Sequence, residues 1–333
     1  MGKILITGAG GYIGSVAAHE FLENGHNLVV VDNFSTGYKK PLEVLKDKFG
    51  EDRVSIYEVD VKDIDRVFSE QDIEAVVHFA ANCSVNESME NPQKYFTNNT
   101  FTSNHLLVKM LENNVKKIVF SSTCAVYGEA KSMPIDENHP TSPTNPYGES
   151  KRMTEKLIEW YGELKGLNYV ILRYFNVCGA TDNGEIGDSK KPSVHLMQNA
   201  VRGALNIEPF YLTCPEVDTP DGTTIRDYVN VVDLANAHIK AYDYLKNGGI
   251  SEIINLGTGD GNSVLEIVKK VEEITGVQLP ITKGEARQGE YAKMVASIEK
   301  AKRVLGWAPE HSLTDSVKTL VEWYKKHPNG WEY

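Results

Sequence analysis

The chain has 333 residues, of which 41% are hydrophobic and 24% charged, and its formal net charge is −11 at pH 7. These values predict a globular protein with a substantial core and argue against a general nucleic-acid or anionic-membrane surface. No apolar stretch approaches the roughly 20 residues needed to cross a bilayer, and the N-terminus has no signal-peptide layout. The four cysteines are scattered, without a metal-ligand spacing. We therefore expect a cytoplasmic protein with reduced cysteines, no metal, and no nucleic-acid or membrane partner.

Strand and helix patterns alternate through the first half of the chain. Helical segments around 63–70 and 97–113, and a helix over about 147–164 that begins with proline, lie between apolar runs typical of buried strands. Those runs are KILIT, NLVVVD, AVVHFAA, KKIVFSST and YVILRYFN. Such alternation predicts an α/β fold with a doubly wound parallel sheet and helices on both of its faces.

Beyond residue 176 the composition changes. Glycine, aspartate, asparagine and proline become frequent in CGATDNGEIGDSKKP and CPEVDTPDGTT, which predicts long loops around a short helix near 194–204. Strand and helix patterns resume at about 226, and EIINLGTG is a further strand candidate. The tail from about 263 is predicted to hold two helices, one of them over LTDSVKTLVEWYKK.

The first strand is followed by the segment GAGGYIG, which contains Gly8, Gly11 and Gly14. Glycine permits a tight turn and lets the N–H groups of a helix start approach a pyrophosphate. The next strand ends at Asp32, where a carboxylate can accept hydrogen bonds from both ribose hydroxyls and repels a 2′-phosphate. The spacing differs from the usual G-x-G-x-x-G, and a purely structural glycine turn is the alternative. The combination favours a bound dinucleotide, NAD rather than NADP.

Tyr147 and Lys151 lie one helical turn apart and therefore share a helix face. The same Y-x-x-x-K spacing occurs at Tyr127/Lys131, Tyr161/Lys165 and Tyr242/Lys246. Only Tyr147 and Lys151 combine a helix start with the sheet edge at which strands end and ligands bind, the edge that Thr123 also reaches. A surface pair without function is the alternative. We predict that Tyr147, Lys151 and Thr123 form a catalytic group.

The chain resembles the extended short-chain dehydrogenases/reductases and, within them, the UDP-glucose (UDP-galactose) 4-epimerase family. The motifs that carry this resemblance run from residue 3 to about 325: ITGAGGYIGS, VVVDN, VVHFAA, VFSSTCAVYG, PYGESK, LRYFNVCGA, IRDYVNVVDLANAH and NLGTGDGNSV. The resemblance implies a Rossmann-type fold, bound NAD, and an isomerase that acts on C4′ of a UDP-hexose in galactose and nucleotide-sugar metabolism.

The family's chemistry gives each predicted catalytic residue a role. The Tyr147 phenolate would take the proton of the sugar O4′ while hydride leaves C4′ for NAD, and Thr123 would hydrogen bond the same oxygen. The transient 4-keto sugar would turn over and take the hydride back on its other face. Lys151 and the cationic nicotinamide would lower the pKa of Tyr147, which is near 10 in a free tyrosine, by about 3 units.

The resemblance also assigns binding residues. Beside the catalytic group, NAD would contact Gly8, Gly11, Tyr12, Ile13, Gly14, Asp32, Asn33, Phe34, Ser35, Thr36, Gly37, Asp60, Val61, Phe79, Ala80, Ala81, Asn98 and Phe175. The UDP-sugar would contact Thr123, Tyr147, Asn176, Arg226, Arg287, Glu290 and Met294. Arginine suits a diphosphate because its planar fork donates in pairs, although an ordinary salt bridge is the alternative for both arginines.

Two lobes follow from these assignments. An NAD-binding Rossmann domain would occupy 1–176, and the chain would return to it at about 226–257. A smaller mixed α/β lobe, formed by 177–225 and 258–333, would bind the UDP-sugar.

Three positions depart from the family pattern. Cys83 stands where bacterial members often carry a lysine near the nicotinamide ribose, and the segment KPSVHLMQNAVRG is shorter than the family's uridine-side stretch. Met294 occupies the position whose size gates the pocket beside the C2 substituent of the sugar. Because methionine is intermediate in size and flexible, the acceptance of N-acetylated sugars stays open.

Other functions are weighed against this one. A sister epimerase acting on UDP-N-acetylglucosamine or UDP-glucuronate is the main alternative. A nucleotide-sugar 4,6-dehydratase needs an acid/base pair after the strand-end threonine, where this chain has Cys124 and Ala125. A non-catalytic NAD-sensing protein would typically lose the tyrosine/lysine pair.

Family members are usually homodimers joined through two long helices per subunit. Here the segment 97–113 and the Tyr147 helix could supply that surface with Leu106, Met110, Met153, Leu157 and Trp160. The same apolar side chains could instead face the sheet.

Overall fold

The computed structural model describes residues 2–191, 193, 195–279, 282–283 and 291–331. The strands are β1 (Lys3–Thr7), β2 (Leu28–Asp32), β3 (Val54–Glu58), β4 (Ile73–His78), β5 (Lys117–Thr123), β6 (Asn168–Tyr174), β7 (Asn176–Cys178), β8 (Tyr211–Leu212), β9 (Ile225–Arg226), β10 (Tyr228–Asn230), β11 (Glu252–Leu256), β12 (Asn262–Ser263), β13 (Thr282–Lys283) and β14 (Lys293–Met294). Seven of them form one parallel sheet in the order β11–β6–β5–β4–β1–β2–β3.

Helices connect these strands and cover both faces of the sheet. They are α1 (Tyr12–Glu23), α2 (Lys40–Phe49), α3 (Asp65–Glu70), α4 (Val85–Glu90), α5 (Pro92–Tyr95), α6 (Thr102–Glu112), α7 (Pro146–Lys165), α8 (Leu196–Ala204), α9 (Val231–Lys246), α10 (Val264–Thr275), α11 (Glu299–Leu305) and α12 (Leu313–Lys326). A π-helix, Phe96–Phe101, leads into α6, and short 3₁₀ turns occupy Val61–Asp63 and Cys124–Val126.

Two hydrophobic cores lie on opposite sides of the central sheet. In β1, Ile4 and Ile6 pack into one core with α1 and α9, whereas Leu5 packs into the other with α3, α6 and α7. Alternate residues of a strand point to opposite faces, so a strand buried on both faces is apolar throughout. The predicted α/β fold with a doubly wound parallel sheet is confirmed.

The strand order places a crevice at the carboxyl edge of the sheet. From β1 the chain moves outward through β2 to β3, and then returns to the other side of β1 as β4. Loops that leave β1 and β4 therefore diverge, and ligands of open α/β sheets bind at this point. Thr7, Asp32, His78, Thr123 and Tyr174 all end strands at this edge.

Smaller sheets are built from the chain beyond Tyr174. Strand β9 pairs with β12 and β14, β10 pairs with β7, and β8 pairs with β13. The buried carboxylate of Asp227 joins these segments because it accepts hydrogen bonds from Thr258 N, Gly259 N and Ala296 N. The phenol of Tyr12 in α1 donates to Gly179 O, which ties the loop after β7 to the central sheet.

Most predicted elements match the structure, but some differ and others were not predicted. The predicted helix over 97–113 begins as the wider π-helix, in which Asn99 turns inward. The described part of the tail contains three helices rather than the predicted two, because the short helix α11 precedes α12. Helices α2, α4 and α5, and strand β3 at the edge of the central sheet, were not predicted. Every helix within the described ranges is too short or too polar to cross a membrane.

Candidate active site

The glycine segment forms a cradle at the start of α1. Gly8 has φ +71° and lies so close to the loop after β4 that a Cβ there would be 2.5 Å from Ala80 N. A Cβ on Gly14 would be 2.1 Å from Gly8 O. Among the described residues, no side chain caps the helix at Gly11. The first N–H groups of α1 therefore stay available for an anion, and the cradle fits a pyrophosphate.

Asp32 ends β2 beside that cradle. Its carboxylate accepts hydrogen bonds from Gly10 N at 2.9 Å and Phe34 N at 2.7 Å, so its orientation is set by the backbone. Burial raises the pKa of this carboxyl group, and the two backbone hydrogen bonds oppose that rise. Because Asp32 is hydrogen bonded to Gly10 of the glycine segment, its carboxylate lies next to the phosphate cradle. This position fits the ribose of NAD.

Further along the same edge, Asn33 and Asp60 face each other. Asn33 Nδ2 donates to Asp60 Oδ2 at 2.8 Å, and Asn33 Oδ1 accepts from Ser35 N. Asp60 also caps the 3₁₀ turn that begins at the buried Val61. These contacts hold the loops after β2 and β3 together, and both loops line the cavity described next.

A cavity of about 420 Å³ runs from the cradle to the end of β5. Of the residues predicted to contact NAD, only Phe34 is not among those lining this cavity; its φ is +52°, and it is close to Gly10. The lining includes Gly8, Gly11, Tyr12, Ile13, Gly14, Asp32, Asn33, Ser35, Thr36, Gly37, Asp60, Val61, Phe79, Ala80, Ala81, Asn98, Thr123, Tyr147, Lys151 and Phe175.

The tyrosine and lysine lie at the opposite end of the cavity. Asn145 caps α7 by accepting a hydrogen bond from Gly148 N at 2.8 Å, and Pro146 occupies the first helical position. This start places Tyr147 at the cavity wall beside Thr123. Lys151, one turn later, is 3% exposed, and its Nζ donates to Ser121 O at 2.8 Å.

Burial governs the ionisation of this pair in the protein itself. It raises the pKa of Tyr147 well above 10, and a hydrogen bond with the Thr123 hydroxyl opposes that rise. Burial also lowers the pKa of Lys151 to about 8, although the charges of Cys83 and Glu155 favour the ammonium form. The expected lowering of the Tyr147 pKa is therefore not produced by the side chains alone, because desolvation outweighs them.

A second, smaller cavity of about 90 Å³ adjoins the first. Asn176 and His195 line both, and Arg226 in β9 lines the smaller one. Met294 is buried and lies opposite Arg226 in the parallel pairing of β14 with β9. Arg287 and Glu290 lie outside the described residues. Within the described ranges, no cluster of His, Cys, Asp or Glu could hold a metal ion.

Comparison with known proteins identifies the family. The sequence model that defines the NAD dependent epimerase/dehydratase family matches residues 4–257 of this chain. The chain belongs to this family.

Relatives of this epimerase/dehydratase chain extend over its full length. UDP-glucose 4-epimerase of Halalkalibacterium halodurans is 43% identical over 336 residues, which cover 98% of this chain and 97% of that protein. The same enzyme of Lactobacillus helveticus is 41% identical over 99% of both chains. The crystal structure of UDP-glucose 4-epimerase from Bifidobacterium longum, in complex with NAD+ and UDP, is 36% identical, covers 99% of this chain and 100% of that one, and has a TM-score of 0.93. The resemblance that we inferred from sequence motifs is confirmed.

Several residues around the site of this family member were not predicted. Asn99, in the π-helix, accepts from Asn82 N and donates to Ser150 Oγ in α7. A π-helix often marks a functional site, but FTNNTF carries no sequence signal for one. The loop after Gly179 brings a second set to the cavity: Gly187, Asp188, Ser189 and Lys190. Their only sequence signal was the length of that loop.

Proposed function

We propose that this chain is an NAD-dependent 4-epimerase that interconverts UDP-glucose and UDP-galactose through a transient 4-keto sugar. The observation that carries the proposal is one cavity that joins the phosphate cradle and Asp32 to Tyr147, Lys151 and Thr123. Its full-length relatives are named UDP-glucose 4-epimerases, which supports the same activity.

When bound, NAD supplies reversible two-electron chemistry at C4′ of the sugar. Gly8, Gly11 and Gly14 shape the backbone for its pyrophosphate, and Asp32 accepts hydrogen bonds from its adenosine ribose. The predicted contacts of Asp60 and Val61 with the adenine belong to the same proposal.

Tyr147 acts as the base that removes the O4′ proton, and Thr123 orients that hydroxyl through a hydrogen bond. Lys151 donates to the Ser121 carbonyl, which fixes the position of its ammonium one helical turn from Tyr147. We assign it the role of favouring the phenolate electrostatically. The same phenol returns the proton to O4′ when the sugar is reduced again, so the protein regains its starting state after each turnover.

The UDP-sugar binds at the junction of the two cavities. We assign Asn176 and Arg226 to it because they line the smaller cavity beside the reacting end, and the sequence resemblance adds Arg287 and Glu290. Met294 would contact the C2 substituent of the sugar, and its size would decide whether N-acetylated hexoses are accepted as well as plain ones. A 4,6-dehydratase is disfavoured because Cys124 and Ala125 occupy the positions of the required acid/base pair, and burial raises the pKa of the Cys124 thiol to about 12.

The proposal includes two lobes and a cytoplasmic homodimer. Residues 1–176 and about 226–257 would hold NAD, and 177–225 with 258–333 would hold the UDP-sugar. For the dimer, Leu106 and Met110 are excluded as contacts since both are fully buried against the sheet. Met153 and Trp160 are 40% and 59% exposed on α7 and support a second copy docking there.

The test is to incubate the purified protein separately with UDP-glucose, UDP-N-acetylglucosamine and UDP-glucuronate, and to identify the products by NMR. We expect UDP-galactose from the first reaction. Conversion of UDP-glucuronate alone would assign the sister activity, and a 4-keto-6-deoxy product would assign dehydration. A protein that binds NAD yet converts none of the three sugars would contradict the proposal.

A further inference from the structure

Glu155 is a buried acid that the reaction described above does not use. It lies in α7, one turn after Lys151, and none of its surface is exposed. Burying a carboxylate costs several kcal/mol unless it is paired and hydrogen bonded. The partners of Glu155 therefore indicate what it does.

Those partners come from both strands beneath the catalytic helix. Arg173 in β6 donates to Glu155 through Nε at 2.8 Å and Nη2 at 2.7 Å, and Ser122 Oγ in β5 donates at 2.5 Å. Ser122 directly precedes Thr123, and Arg173 directly precedes Tyr174. One carboxylate thus ties α7 to the two strand ends that form the floor of the cavity.

The contacts continue to the edge of the sheet. Arg173 Nη1 donates to the phenol of Tyr127 at 3.1 Å, and that phenol donates to Asn255 Oδ1 in β11 at 2.7 Å. Arg152 Nη1, on the same helix, contacts Glu155 at 3.0 Å and Glu159 at 2.6 Å. Two cations therefore share the buried carboxylate of Glu155.

The surroundings of Lys151 make this charge distribution relevant. Lys151 is buried, and the groups that favour its ammonium are Cys83, from the loop after β4, and Glu155, from its own helix. The phenols of Tyr147 and Tyr174 face the same space from α7 and β6. His78 in β4 also faces Lys151, but it stays neutral because burial lowers its pKa to about 3.

Loss of the Glu155 charge would act twice on Lys151. It would remove a nearby negative charge, and it would leave Arg173 and Arg152 without their carboxylate. Both changes disfavour a second cation in the same low-dielectric region.

We propose that Glu155 is a positioning residue that, through its bidentate pair with Arg173, sets the charge balance around Lys151 and holds α7 in register with Thr123. Its consequence for catalysis rests on the proposed epimerase function. The charge balance itself can be measured in the protein alone.

The test replaces Glu155 by glutamine, which keeps the shape and removes the charge. Lysine labelled with ¹³C at Cε reports side-chain ionisation by NMR, and Lys151→Met assigns the resonance. From a wild-type midpoint of about 8, we expect Glu155→Gln to lower the Lys151 midpoint by about 1 pH unit. The alkaline limb of the kcat profile should move in the same direction.

Two further variants separate charge from structure. Arg173→Gln leaves the carboxylate but removes its main cation, so the Lys151 midpoint should rise; this variant carries the test if Glu155→Gln does not fold. Glu159→Gln is the matched control, because Glu159 also pairs with Arg152 but is one-third exposed and lies a turn further from Lys151. In Glu159→Gln, the Lys151 midpoint should stay at the wild-type value.

A Lys151 midpoint that stays within about 0.3 unit of wild type in both charge variants, whatever their stability, would overturn the proposal and leave Glu155 a purely structural residue. Opposite shifts in the two variants support it. If those shifts occur in a protein that converts no UDP-sugar, the proposed function fails while the charge balance stands.

Discussion

Replacement of Tyr147 by phenylalanine tests the central step of the proposed reaction. Burial holds the pKa of Tyr147 well above 10, so fewer than about 1 in 10³ molecules would carry the phenolate at pH 7 without a further positive charge. Because the starting pKa lies above 10, restoring it to neutrality requires more than about 4 kcal/mol of stabilisation. The side chains alone do not supply it, so the positive ring of bound NAD would have to add to the effect of Lys151. Phenylalanine removes the ionisable group altogether.

The expected loss is in turnover rather than in folding or binding. General acid–base catalysis contributes about 10²- to 10⁴-fold, so kcat should fall by that factor while KM changes little. The variant loses one hydrogen bond with Thr123, which is worth about 1 kcal/mol of stability. The fall in kcat is measured by following the conversion of UDP-glucose to UDP-galactose by NMR. Thermal unfolding measures the change in stability, and the amount of NAD that stays bound to the purified variant shows whether cofactor binding is intact.

Tyr161→Phe is the matched control. Tyr161 lies on the same helix and has the same Y-x-x-x-K spacing, but its phenol donates to Asn104 Oδ1 away from the cavity. Its kcat should stay within about twofold of wild type. If Tyr147→Phe retained more than a tenth of the wild-type kcat, Tyr147 would not be the base, and the reasoning from the cavity would be refuted.

Three further predictions follow from other contacts. Asp32→Asn keeps an acceptor for the backbone but removes the negative charge, so NAD affinity measured by calorimetry should fall about tenfold and the preference over NADP should narrow; an unchanged preference would contradict the ribose assignment. In Gly14→Ala the added methyl would lie 2.1 Å from Gly8 O, so the protein should lose its NAD on dialysis and about 1–3 kcal/mol of stability; full NAD retention would argue against the cradle. The hydrogen bond with Asp233 raises the pKa of His311 to about 9. The wild type should therefore be more stable than His311→Asn, and this difference should be fully present below about pH 6.5, the ordinary histidine pKa. The difference should be lost as the pH rises through 9. We expect that advantage to be about 2 kcal/mol, discounted for partial exposure, and denaturant unfolding at pH 6 and pH 9.5 that gave equal differences would refute it.

Features that depend on neighbours along the chain were predictable. The glycine segment, Asp32 at the end of a strand and the proline at the start of α7 each follow from backbone geometry within a few residues. Because strand ends meet at one edge of a parallel sheet, these local features also predicted that Asp32, Thr123 and Tyr147 share the cavity, whereas the other predicted contacts came from the family resemblance. Phe34 is a contact that only the family resemblance implied, and in the structure its side chain lies close to Gly10.

Features that depend on the direction of a buried side chain were not predictable. Leu106 and Met110 have the same apolar character as Met153 and Trp160, yet the first two face the core and the last two face outward. Helical spacing defines relative faces, but the packing partner decides which face is inside.

The sequence by itself determined the α/β architecture, the glycine cradle, and the positions of Asp32 and Tyr147 at the strand-end edge, since each depends on short-range patterns of apolar, small and capping residues. Only the tertiary structure decided that Glu155 and Arg173 share a buried ion pair beneath α7, and that desolvation raises the pKa of Tyr147. The reason is physical: solvation and charge pairing depend on which distant segments exclude water from a side chain, and no pattern along one segment specifies that.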